Sequence, residues 1–207
     1  MAEQTAGLPV FAAAAADLIV FIAVTVCVIR SVNRKKQEKT LKQRMGTFRY
    51  FTTDSNVLCA LSCLCTLPWL IGAMFSGESC LPRPLLLFRF AGTAAVTVTF
   101  LTVMAFLGPT TGYRPLLTGH GFWMHLLCPV LAVLSLALEK SEPFSFPETL
   151  WGMLPTVVYS LVYLYEVVLK KDGWEDFYGF DRGGKWPVSI VLMYLATAGI
   201  CAALNCV

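Results

Sequence analysis

Six apolar runs of roughly twenty residues, joined by short polar segments, leave this chain few folds to choose from. In hydrocarbon every backbone N–H and C=O must find its partner within the protein, and a run of that length does so as a helix. The runs fall at about 9–29, 50–75, 84–108, 121–138, 149–170 and 187–206. They predict an all-α, polytopic membrane bundle of six transmembrane helices, with residues 1–207 forming a single domain. Of the 207 residues, 57% are hydrophobic and 14% charged, with a mean hydropathy of +0.66. Soluble domains carry about 25% charged residues. No cleavable signal peptide is expected, because residues 1–8 contain Glu3 and no Lys or Arg, and the first run is too long for one.

Charge is distributed unevenly. Arg30, Arg34, Lys35, Lys36, Lys39, Lys42, Arg44 and Arg49 stand against one acid, Glu38, between the first two runs. The positive-inside rule places segment 30–49 in the cytoplasm of a cell membrane and both termini outside. Flanking membrane helices exclude a nucleic-acid partner for this basic segment. Asp17 and Arg89 are intramembrane charges, and at similar depth they predict a salt bridge. The eight cysteines show no metal-binding spacing; Cys80 and Cys206 lie near one surface, where a pairing is conceivable. No metal or other cofactor is implied.

The start of the second run concentrates chemistry. Arg49-Tyr50-Phe51-Thr52-Thr53-Asp54-Ser55-Asn56 places hydroxyls, a carboxylate and an amide in the first turns of a membrane helix. Polar groups there are costly and commonly functional. On the predicted topology Thr52, His125 and Glu166 lie at one depth in one leaflet, on three different helices. A hydroxyl, a base and a group that orients the base are the parts of nucleophilic acyl transfer. Thr52, Ser55/Asn56, Cys59 and Cys63 share a helical stripe, as do Tyr159, Tyr163 and Glu166. Pro129 denies the His125 carbonyl its usual helical donor, which predicts a bend beside the imidazole. Thr53 competes with Thr52, and His120 with His125. Each of these residues also has a plain structural use: a cap, a hydrogen-bond donor, a snorkelling acid.

Three short motifs carry a resemblance. Phe51-Thr52-Thr53-Asp54-Ser55-Asn56, His125 to Pro129, and Gly183-Gly184-Lys185-Trp186-Pro187 resemble a family of prokaryotic six-span integral membrane proteins. That group is distantly similar to the androgen-induced and androgen-dependent membrane hydrolases of animals, which cleave fatty acid esters of hydroxy fatty acids with a threonine and a histidine. The resemblance implies an intramembrane lipid-ester hydrolase with Thr52 as nucleophile and His125 as base. Ser55, Asn56, Asp54, Tyr163 or Glu166 would orient the base or hold the oxyanion, and Arg49 would hold a substrate carboxylate. The His-to-Pro spacing is one residue shorter here than in the animal enzymes. The alternatives are a transporter or channel for a small solute or protons, and a non-catalytic lipid-binding membrane protein.

Overall fold

The computed structural model describes residues 7–34, 45–77, 81–140 and 142–207, and these form an all-α bundle of six apolar helices. The basic run 35–44 and Cys80, with its conceivable pairing to Cys206, lie outside the described residues. The helices are α1 (Gly7–Arg34), α2 (Phe51–Ser76), α3 (Arg83–Thr111), α4 (His120–Glu139), α5 (Phe146–Leu169) and α6 (Trp186–Cys206), each long and apolar enough to cross a membrane.

Local signals set the ends. α2 stops at Gly77, whose N–H still reaches the Ala73 carbonyl while its φ of 73° turns the chain out of the helix. α5 starts with a capping box in which the Ser145 hydroxyl and N–H both donate to Glu148. Pro84, Pro147 and Pro187 occupy first-turn positions, where a missing N–H costs nothing. α2 runs on through Pro68.

Three helices widen into π-helical turns at the same end of the bundle: Thr102–Leu107 in α3, Trp123–Leu127 in α4 and Tyr165–Leu169 in α5. Two of them have a proline as their cause. Pro109 and Pro129 each follow the widened turn by two residues, and each ring would press on the carbonyl four residues back. The wider turn answers this: Gly108 N–H donates to Val103, and Cys128 N–H to Trp123, five residues back. The bend expected before Pro129 thus takes the form of a π turn around His125.

Helices α1 to α4 pack closely against one another, while α5 and α6 lean mainly on α3. Val20, Val24, Cys59, Cys63, Val96, Cys128 and Ala132 fill the centre of the four-helix part. Gly92 lets α2 and α3 approach: a Cβ there would sit 2.8 Å from Ser62 Oγ and 3.0 Å from the Cys59 Cα. Gly92→Leu is therefore expected to destabilise by about 1–3 kcal/mol, the usual cost of overpacking. A melting curve of the detergent-solubilised variant checks this; an unchanged midpoint would show that the contact is not tight.

The predicted Asp17–Arg89 bridge is present, with Arg89 Nη2 at 2.8 Å from Asp17 Oδ1 and both side chains fully buried. It is part of a larger cluster. Glu139, assigned from the sequence to a polar loop, is the last residue of α4, and it turns inward to lie 3.5 Å from Arg89 Nε. Thr66, Thr93 and Ser135 complete the cluster through hydrogen bonds to Asp17, from Arg89, and to Asp17 respectively. At the same end, Arg83 forms a two-pronged pair with Glu148, both contacts 2.7 Å, which ties α5 to α3.

Candidate functional site

Where α5 and α6 stand away from α2 and α3, they leave a cavity of about 790 Å³. Leu101, Val103, Phe106, Leu192 and Ile200 make its walls largely apolar. Hydroxyls interrupt them, among them Thr99, Ser160 and Thr197. Thr156 also lines the cavity, and its hydroxyl is buried without a hydrogen-bond partner. Thr52 and Phe51 lie on the cavity wall at the start of α2.

The segment after α5 closes this end. Its residues Trp174, Phe177, Tyr178 and Phe180 all pack around the buried ring of Tyr163, with centroids 5.1–6.2 Å away. Asp176 is the knot of the turn. Its carboxylate accepts from the Tyr163 hydroxyl at 3.0 Å, from Phe180 N–H at 2.7 Å and from Asp181 N–H at 2.8 Å. Gly173 is needed at the turn's start, because a Cβ there would run into the Glu166 carbonyl. The result is that Tyr178 is delivered to the first turn of α2. Its hydroxyl accepts from Phe51 N–H at 3.1 Å and lies against the Thr52 hydroxyl and the Tyr159 phenol. Burial pushes the Tyr178 phenol up to about 12, with its contacts at Phe51, Tyr159 and Thr52 pulling the other way. Tyr178 is thus a protonated donor at neutral pH.

The residues named from the sequence divide into two groups. Thr52, Tyr159 and Tyr163 meet at the cavity. Arg49 is exposed beside them, its carbonyl accepting from the Tyr159 hydroxyl at 2.7 Å. Asp54 is half-buried and interacts electrostatically with Tyr159. Ser55 is buried and shares a 2.8 Å hydrogen bond with Thr99, one wall residue of the cavity. Thr53 turns away toward Thr47.

His125 and Glu166 do not join them. Among the described residues no hydrogen bond connects His125 with Thr52. His125 Nδ1 lies 2.7 Å from the Leu116 carbonyl. A carbonyl only accepts, so Nδ1 carries the proton and Nε2 is left as the basic nitrogen. Asn56 stands between the two groups. Its amide donates to the Thr52 carbonyl at 2.8 Å and to the Met124 carbonyl at 3.1 Å, and its own Oδ1 is buried without a partner. Glu166 pairs with Lys170 at 2.9 Å, one turn along its own helix, and so does not orient the imidazole. His120 is exposed at the start of α4.

Searches of protein-family models, curated proteins and solved structures found no match. The site must be read from its own geometry.

Tyr178 and Asp176 are the candidate-site residues that the sequence reading missed. The signal was two acids, Glu175 and Asp176, set among four aromatics between Trp174 and Phe180.

Proposed function

We propose that the protein binds an ester-bearing acyl lipid in the cavity between α2, α3, α5 and α6 and hydrolyses it at Thr52. The observation that carries this reading is the placement of the Thr52 hydroxyl, with the Tyr178 phenol against it, on the wall of a large and mainly apolar cavity. Acyl chains fit walls of that character, and the hydroxyl pair meets the one polar linkage the lipid carries. The charge of segment 30–49 supports a cytoplasmic position for this end, with both termini outside. Substrate then enters from the inner leaflet, and Arg49 meets a carboxylate at the headgroup level.

In the proposed reaction Thr52 Oγ1 attacks the ester carbonyl and its proton passes to His125 Nε2. Tyr178 donates to the developing oxyanion. The alcohol leaves with the proton from His125, and water then releases the acid from the acyl-threonine. This requires His125 Nε2 to reach Thr52 when lipid fills the cavity. Catalytic hydrogen bonds commonly tighten only with substrate bound. The π turn that holds His125 is also a type of distortion frequent at functional sites.

A second reading, a lipid-binding protein without catalysis, is favoured by one specific observation: the Thr52 hydroxyl faces a phenol and not a base. A transporter finds less support, since Asp17 and Arg89 bond each other and line no part of this cavity.

Purified protein assayed with a chromogenic long-chain ester separates these. Hydrolysis by the wild type, lost to background in Thr52→Ala while a fluorescent fatty acid still binds, is the expected result. Thr52→Ala hydrolysing at the wild-type rate would remove Thr52 as nucleophile. Binding without hydrolysis in the wild type would leave the lipid-binding reading.

A further inference from the structure

The cluster at the other end of the bundle contains two carboxylates and one cation, and its hydrogens can be counted. Asp17 and Arg89 are wholly buried, and Glu139 is nearly so, 7% exposed. Among the described residues Arg89 is the one cation paired with either carboxylate. If both acids were ionised, a fully desolvated site would hold an uncompensated negative charge, which membrane interiors tolerate poorly.

Ser135 resolves where the compensating proton sits. Its Oγ is 2.7 Å from Asp17 Oδ1, 2.7 Å from Glu139 Oε1 and 3.3 Å from the Ala13 carbonyl. A hydroxyl has one hydrogen to donate and lone pairs to accept. It can serve only one of two short carboxylate contacts as donor. The other carboxyl must therefore donate to it.

The surroundings distinguish the two acids. Asp17 receives Arg89 Nη2 at 2.8 Å, as an ionised carboxylate would, and its Oδ2 lies 2.5 Å from Thr66 Oγ1, whose one hydrogen also has the Cys63 carbonyl within 2.8 Å. Among the described residues Glu139 makes its one short hydrogen bond with Ser135; its Oε2 lies 3.5 Å from Arg89 Nε, and both of these atoms are without hydrogen-bond partners. Four other groups complete the surroundings. They are the thiols of Cys59 and Cys63 on α2, the Thr93 hydroxyl on α3 and the Ala132 carbonyl on α4.

We infer that the Asp17–Arg89–Ser135–Glu139 cluster is a proton-binding site, in which the Glu139 carboxyl donates to Ser135 Oγ and Ser135 donates to ionised Asp17. Glu139, the last residue of α4, is the group through which the site exchanges its proton with the aqueous phase at that end. Glu139→Gln supplies the same neutral donor and keeps the chain of hydrogen bonds. Ser135→Ala breaks it.

Infrared spectroscopy of the protein in nanodiscs tests this directly. The wild type at neutral pH shows a protonated-carboxyl C=O stretch, Glu139→Gln lacks it, and Ser135→Ala shifts its frequency. Absence of the band in the wild type, or its persistence in Glu139→Gln, overturns the assignment. Should Glu139→Gln fail to fold, Ser135→Ala decides: a band that ignores this substitution belongs to another acid and also overturns it.

Discussion

Arg89→Met is expected to yield little folded protein. The guanidinium sits among four helices and bonds Asp17, Thr93 and the Ala132 carbonyl, with Glu139 facing its Nε. Methionine fills much of the same volume and leaves Asp17 without its counter-ion. Removing one member of a buried ion pair costs about 3–5 kcal/mol, a large part of most proteins' net stability. Restoring the charge balance should recover much of the loss. Arg89→Met combined with Asp17→Asn and Glu139→Gln leaves no buried charge in the cluster and should melt well above Arg89→Met alone. Melting curves in detergent, followed by thiol labelling of the buried cysteines, read both steps. A single Arg89→Met variant as stable as the wild type would show that the pair contributes nothing.

Asp176→Ala should have the second largest effect, confined to one region. The substitution takes an acceptor from Phe180 N–H, Asp181 N–H and the Tyr163 hydroxyl. Hydrogen bonds to a charged group contribute roughly 1.5–3 kcal/mol each. A short turn cannot lose three of them and keep its shape. Segment 171–185 should then exchange its amide hydrogens much faster, and Trp174 fluorescence should change as it leaves Tyr163. Among the described residues the Asp176 carboxylate makes no hydrogen bond to α1–α4, so that core should melt close to the wild type. Tyr178 would be released from the α2 start with the turn, so the proposed ester hydrolysis should fall, even though Thr52 is untouched. Unchanged exchange in 171–185 would show that the aromatic packing holds the turn unaided.

The architecture was legible because hydrophobic length measures a membrane crossing directly. Observed helix bounds differ from the expected ones by only a few residues, most at α1, which runs on to Arg34. The Asp17–Arg89 pair was legible for a related reason: two isolated opposite charges in hydrocarbon have little alternative but to meet. Glu139 was not, because it neighbours a polar loop in sequence and only the helical rotation turns it inward. The site was half legible. Thr52 was found from the density of polar groups at a span start. Its expected partner failed to reach it for a geometric reason. Helices that bring residues to a shared depth do not thereby bring them to a shared face. On α2, Thr52 faces the cavity, whereas Asn56, one turn on, faces α4 and takes the contact with the residue before His125. Tyr178 escaped notice because its position depends on a folded turn held by a single carboxylate, and helical periodicity says nothing about turns.

The buried ion cluster also constrains the order in which this chain can be made. Asp17 is bonded to Arg89, 72 positions later, and to Ser135, 118 positions later. During synthesis α1 emerges long before either partner exists. A lone carboxylate in the middle of a helix is disfavoured in lipid. The first helix should therefore linger at the insertion machinery until α3 and α4 arrive, and leave it as part of a four-helix unit. α5 and α6, which among the described residues bring no partner to that cluster, would join afterwards.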